Sequence, residues 1–215
     1  MRIFLDTANL EEIRTAVSWG VIDGVTTNPT LFARENKKFE EWFSEAVRIV
    51  GNKEICLEVV ANDTESIVME AESLCELDGM VVPKIPITAE GLKAIKELDK
   101  KGIKINATLV FSVNQALLAA NAGADYVSIF IGRLDDIGQD GMQVVRDTLA
   151  AFDWYGYKTQ IIVASIRHTL HIIKALKAGA DVVTVPFAVL KMMLYHPLTD
   201  IGIAKFNDDW KKRST

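Results

Sequence analysis

Cysteine is scarce, with two thiols in 215 residues, and that scarcity excludes a disulfide framework. Cys56 and Cys75 also lack metal-ligand spacing, so both read as buried thiols in a reducing, cytoplasmic setting. Only three histidines are present; His168 and His171 share an expected helix but have no third ligand nearby, so they read as surface or helix-end residues. No stretch of about 18 apolar residues offers a membrane span. Asp6 and Asn9 interrupt the first residues, so no secretory leader is expected. Positive charge is not in excess either. Lys and Arg number 24 against 29 Asp and Glu, a net charge of -5, which gives no electrostatic reason to expect nucleic acid or an anionic membrane as partner. No glycine fingerprint follows the first apolar run, which counts against dinucleotide binding. Linkers, low-complexity tracts and long charge runs are missing too, and a single domain over residues 1–215 is expected.

What the chain does have is apolar material for a large core, 49% of its residues, dealt out in short runs. The most informative is Met80-Val81-Val82-Pro83-Lys84-Ile85-Pro86. It reads as a parallel strand buried on both faces, with one lysine inside it. Burial disfavours an ammonium, so Lys84 is expected to have a lowered pKa and to be a usable amine nucleophile near neutral pH. A lone strand lysine can instead snorkel to the sheet edge. The rest of the chain decides between the two.

In order, apolar runs occur at Arg2–Asp6, Gly24–Asn28, Ile55–Val60, Met80–Pro86, Ile103–Leu109, Asp125–Phe130, Gln160–Ser165 and Asp181–Pro186. Helical patterns separate them. One begins near Leu10 behind the N-cap Asn9, and the stripe Phe39, Phe43, Val47 and Val50 marks another within 37–50. Thr64 opens a helix to Leu77, Thr88 one to Lys101 and Ser112 one to Asn121; Gly123 and Gly179 read as stop signals. Gly132 to Asp136 reads as a polar loop, followed by a helix from Gly138 to Trp154. A short helix, Phe187 to Tyr195, breaks at Pro197, and a last helix over about 198–213 lies beyond the repeat. Strands alternating with helices call for a parallel sheet with crossovers. Closure into a single (β/α)8 TIM barrel with an additional C-terminal helix is expected; an open doubly wound sheet is the alternative.

In such a barrel the functional site lies at the carboxyl ends of the strands. Those ends carry Asp6, Thr27, Asn28, Glu58, Lys84, Thr108, Phe130, Ser165 and Arg167. Any one of them could be a cap or turn residue. Together they are costly to bury unless they satisfy one another or a ligand. The chemistry that wants this set is Schiff-base catalysis on a ketone. Lys84 is the candidate nucleophile and Asp6 the acid–base group for the substrate hydroxyl. Glu58 and Thr108, with a water between them, form a candidate proton shuttle, and Asn28 would hold substrate hydroxyls.

The segments Phe4-Leu5-Asp6-Thr7-Ala8, Val25-Thr26-Thr27-Asn28-Pro29, Lys84-Ile85-Pro86, Thr108-Leu109-Val110-Phe111 and Gly132-Arg133-Leu134-Asp135 resemble the small-subunit transaldolases and the related fructose-6-phosphate aldolases over nearly the whole chain. The resemblance implies a metal-independent mechanism without a cofactor, in which Lys84 forms the Schiff base with a dihydroxyacetone unit. It also implies that Arg133, Ser165 and Arg167 bind the phosphate of a sugar-phosphate substrate, as suits an arginine fork. A further implication is a homo-oligomer, a decamer of two pentameric rings, with the C-terminal helix packing on a neighbouring subunit. The aldolases carry glutamine and tyrosine where this chain has Glu58 and Phe130, and the pair found here is the transaldolase combination. Two residues depart from the family pattern. Pro83 replaces an aliphatic residue directly before Lys84, and so either repositions Lys84 or marks a bulge. Ile129 replaces a proline that often precedes Phe130.

Overall fold

The computed structural model describes residues 1–213. Its elements run β1 (Arg2–Asp6), α1 (Leu10–Ser18), β2 (Gly24–Thr26), α2 (Pro29–Phe32), α3 (Phe39–Val50), β3 (Glu54–Glu58), α4 (Thr64–Leu77), β4 (Val81–Pro86), α5 (Ala89–Lys100) and β5 (Asn106–Val110). There follow α6 (Val113–Ala122), β6 (Tyr126–Phe130), α7 (Ile131–Asp136), α8 (Gly141–Tyr155), β7 (Gln160–Ala164), α9 (Thr169–Ala178), β8 (Val182–Val185), α10 (Phe187–Leu194) and α11 (Pro197–Arg213). The strands pair in parallel, each with the next, and β8 closes on β1. The open-sheet alternative is excluded by that last pairing.

Strand periodicity decides what each side chain meets. Cross-strand partners share parity around the ring, as in Phe4↔Gly24, Cys56↔Val82 and Lys84↔Asn106. Even-numbered residues point inward: Phe4, Cys56, Val82, Tyr126, Ile162 and Val182 form a cluster of their own inside the barrel. Odd-numbered ones such as Leu5, Val25, Leu57, Ile85, Val127, Val163 and Val183 join the larger core under the helices. Gly24 is inward too. A Cβ there would come within 2.8 Å of the Phe4 ring, so Phe4 fills the space opposite.

The amino-terminal mouth is stoppered by a polar group. Arg2 donates to Tyr126 Oη at 2.9 Å, Tyr126 donates to Glu54 at 2.8 Å, and Lys104 pairs with Glu54 at 2.7 Å. At the same end Asp23, Asp125 and Asp181 each accept a backbone N–H from the preceding strand region, at Ile3, Ile105 and Ile161, all at 2.8 Å. That leaves the carboxyl-terminal mouth as the open one.

Pro83 neither shifts the register nor makes a bulge. Glu58↔Lys84 and Lys84↔Asn106 hold on both sides of β4, and Pro83 is buried on the outward face. Its cost falls at the start of β5. The same register places Pro83 against Ile105, and pairing on that side begins only at Lys84↔Asn106, later than the expected start at Ile103. Proline has no N–H to extend the ladder backwards. The bulge lies instead in β5, where pairing to β6 slips between Ala107 and Val110 and Leu109 takes φ 57°. The extra residue keeps Thr108 inward and turns Val110 out into the core.

Three expectations need correction. The Gly132 to Asp136 segment is not a loop but the short helix α7, held by Ile131 and Leu134, which are buried on one side of it. Cys56 is fully buried, and burial pushes its thiol up to about 12, whereas Cys75 is only half-buried. His168 is the exposed N-cap of α9, but His171 is buried rather than at the surface. Among the described residues no group of three or more His, Cys, Asp or Glu could hold a metal ion. No described helix is long and apolar enough to cross a membrane.

Candidate active site

Lys84 sits at the carboxyl end of β4 with its side chain 5% exposed. It does not snorkel. Its Nζ donates to the Thr27 carbonyl at 2.8 Å and lies 2.9 Å from Glu58 Oε2. Burial is thus as expected, but the amine is not isolated: a carboxylate is in contact with it. The register Glu58↔Lys84 fixes that contact, because neighbouring strands present both side chains inward at one level.

Asp6 ends β1, in register with Thr26 of β2. Its Oδ1 accepts from Thr26 Oγ1 at 3.1 Å, and Thr26 Oγ1 lies 2.6 Å from Thr184 Oγ1. Burial pushes the Asp6 carboxyl above its ordinary range. Lys84 and the Thr26 hydroxyl pull the other way, and the Glu58 charge adds to the rise. A carboxyl held in this way can carry a proton to or from a substrate hydroxyl.

Asp6, Asn28, Lys84, Phe130, Arg133, Ser165 and Arg167 line one cavity of about 340 Å³ at the carboxyl mouth. Asn28 Oδ1 is committed to capping α2, accepting the Leu31 N–H at 3.0 Å, which leaves its amide N–H groups for a ligand. Arg133 lies with its guanidinium 5.1 Å from the Phe130 ring centroid, and Phe130 leans on Phe111. Ile129 points outward into the core, so the aim of Phe130 is set by these two contacts. Ser165 takes φ 60°, a left-handed conformation rare for a residue with a side chain and one that clusters at functional sites. Gly132 permits that turn to approach, since a Cβ there would come within 2.0 Å of Ser165 O.

Thr27, Glu58 and Thr108 do not line this cavity. Glu58 faces an apolar pocket of about 500 Å³, which also takes in Thr27, Asn28, Phe32, Trp42 and Leu74. Thr27 reaches Lys84 through its carbonyl, while its hydroxyl is buried and has no partner among the described residues. Thr108 Oγ1 and Asn106 Nδ2 are likewise buried and without a hydrogen-bond partner among them. Such groups cost free energy unless water or a ligand meets them. Asn106 pairs in register with Lys84, and its Oδ1 accepts from Ser128 Oγ at 2.8 Å. A larger hollow of about 690 Å³ lies at the amino-terminal end, around Lys158 and Asp181 and remote from Lys84. Converging polar groups, not size, mark the site.

Thr26, Asn106, Ser128, Thr184 and Arg34 belong to the site surroundings but were not among the sequence candidates. The first four share the inward face with Lys84 by the two-residue period, but that face shows only once the barrel is closed. Arg34 follows α2 on an exposed turn, has no side-chain partner among the described residues, and carried no motif.

A closed barrel with its polar groups gathered at the open mouth has the layout of an aldolase of this architecture. The family profile of Transaldolase/Fructose-6-phosphate aldolase matches residues 3–215, and the chain belongs to that family. A probable transaldolase of Petrotoga mobilis is 57% identical over 99% of this chain and 96% of the relative. One from Hydrogenobaculum is 55% identical, with 99% and 97% covered, and one from Moorella thermoacetica is 57% identical, with 99% and 98% covered. A solved chain described as "Native KDPGal structure" superposes with a TM-score of 0.61 at 14% identity, covering 85% of this chain and 80% of that one; it speaks to the fold alone.

Proposed function

We propose that this chain is a transaldolase, moving a dihydroxyacetone unit from sedoheptulose 7-phosphate to glyceraldehyde 3-phosphate to give erythrose 4-phosphate and fructose 6-phosphate. The observation that carries the reading is Lys84 Nζ, buried at the open mouth and 2.9 Å from Glu58. Glu58 takes the ammonium proton, and the neutral amine adds to the ketone carbonyl. Protonation and loss of the hydroxyl as water leave the iminium, and Glu58 and Thr108 shuttle these protons through a water held between them. Asp6 then removes the proton of the hydroxyl on C4, the far carbon of the C3–C4 bond to be broken. The C–C bond cleaves, the aldehyde leaves, and its electron pair passes into the iminium as an enamine. The acceptor aldehyde reverses these steps, and hydrolysis frees the amine. Asn28 offers N–H groups to the substrate hydroxyls; Arg133, Ser165 and Arg167 offer donors to the phosphate.

Phe130 favours transfer over release. It has no hydroxyl with which to protonate the enamine, so the intermediate waits for an acceptor. The alternative within the family is a fructose-6-phosphate aldolase, which would release free dihydroxyacetone. A catalytically impaired sugar-phosphate binder loses its main support, since Pro83 leaves the register of Lys84 intact. In keeping with the resemblance, the reading includes a cytoplasmic setting and a decamer of two pentameric rings, with α11 packed on a neighbouring subunit.

Borohydride reduction with fructose 6-phosphate, followed by peptide mapping, tests the core of this. The expected adduct is on Lys84 and is lost in Lys84→Met; no adduct, or one on another lysine, overturns the mechanism. Supplying erythrose 4-phosphate should then give sedoheptulose 7-phosphate, and accumulation of free dihydroxyacetone would assign the chain to the aldolases.

A further inference from the structure

His171 has no part in the chemistry above, yet it is 2% exposed and engaged at both ring nitrogens. Nδ1 accepts the Arg167 backbone N–H at 3.2 Å, and Nε2 meets Asp135 Oδ2 at 2.9 Å. A nitrogen that accepts from a backbone N–H carries no proton, so the proton is on Nε2 and is donated to Asp135. The other oxygen of Asp135 accepts the Gly141 N–H at 2.9 Å, which fixes the carboxylate. These bonds tie α7, which carries Arg133, to the turn that carries Ser165 and Arg167. Arg167 pairs with Asp136 at 2.9 Å across the same seam, where Gly132 admits the close approach.

We propose that His171, oriented by Asp135, is a positioning residue: as the neutral imidazole it sets the Arg167 backbone so that Arg133, Ser165 and Arg167 converge on a substrate phosphate. This deepens the sugar-phosphate reading of the cavity and rests on it. Five ionisable groups face the ring or its partners: His168 and Lys174 on α9, Asp135 and Asp136 on α7, and Arg167 on the turn. Burial holds the His171 pKa below the usual imidazole range; His168 and Lys174 lower it further, and Asp135 opposes them. Protonation places a second donor against the Arg167 N–H and removes that bond.

Calorimetric binding of fructose 6-phosphate to the Lys84→Met chain, in which no imine forms, tests the proposal. His171→Ala should weaken binding about tenfold or more, as misplaced ligand-holding groups do. His171→Asn places an amide oxygen near the Nδ1 position and should restore most of the loss. As pH falls below the ordinary imidazole range, down to the lowest pH at which both variants stay folded, the chain retaining His171 should lose more affinity than His171→Asn, since titration of the phosphate is common to both. Absent binding with His171 in place, unchanged affinity in His171→Ala, no recovery in His171→Asn, or parallel pH curves would each overturn it. Failure of the transaldolase reading shows separately, as a missing Lys84 adduct in the otherwise unaltered chain.

Discussion

On the proposed reading, the Lys84–Glu58 contact is a nucleophile and its proton acceptor held ready, and its value lies in the proton rather than in net stability. A buried ion pair must offset the desolvation of both partners, and removing one leaves the other unpaired. Glu58→Gln keeps the shape of the contact but removes the base. The rate of borohydride-trappable adduct formation should fall about 10²- to 10⁴-fold, the usual share of a general base; a loss of twofold or less would mean that another group takes the proton. Asp6 makes the complementary case. Its folded pKa is raised, so between the unfolded and the folded value native Asp6 binds more proton than the unfolded chain, and stability falls as pH rises through that window, leaving the ionised carboxylate destabilising above it. Asp6→Asn should therefore gain about 0.5–2 kcal/mol over the parent at neutral pH, a gain that shrinks toward pH 4, while transfer activity is lost. Melting curves at both pH values check this, and an Asn variant less stable at neutral pH would show that the Lys84 charge needs Asp6 more than burial opposes it. Lys84, Asp6 and Glu58 could be picked from the sequence because charge inside an apolar run is conspicuous. Asn106, Ser128 and Thr184 could not, because small polar residues are ordinary in strands until closure shows which face is inside. Arg34 was illegible for a different reason: only tertiary placement brings that turn to the cavity.

At the scale of elements, β4 and β5 show how the chain accommodates a proline in a central strand. Pro83 takes the outward face, and the paired part of β5 starts at Asn106, beyond the missing donor. Pro83→Val should restore one ladder hydrogen bond, worth about 0.5–1.5 kcal/mol, and leave the Lys84 adduct unchanged. Urea titration measures the first and trapping the second; a changed trapping rate would mean that the ring does aim Lys84. Helices with caps and stripes were legible to within a residue or two, as in α4 at Thr64–Leu77 and α6 at Val113–Ala122. The short α2 and α7 were not, since four to six residues carry too little periodicity to read. Trp42 was also missed in the α3 stripe. It is fully buried against Phe32 and donates to the Ala8 carbonyl at 2.6 Å, so its polar edge is satisfied only by a segment distant in sequence.

At the scale of the whole molecule, barrel closure explains how strands from all along the chain deliver one site; the count and order of the repeats favoured it, and the β8–β1 pairing decides it against an open sheet. The helix beyond the repeat follows a different logic. No residue of α11 is buried, and Ile203, Phe206 and Trp210, all exposed, recur on one face of it. Apolar side chains spaced in that way on a helix with no core beneath it are the pattern of an intermolecular contact. If α11 packs on a neighbouring subunit, as proposed, folding and assembly are linked, and the melting temperature must rise with protein concentration. Phe206→Glu with Trp210→Glu should lower the mass measured by light scattering and flatten that concentration dependence. The Lys84 adduct should persist in the variant, because every group placed around the amine comes from one barrel. An unchanged mass would remove α11 from the interface. Loss of the adduct along with the mass would show instead that the barrel needs its neighbours to hold the carboxyl-terminal mouth in working shape.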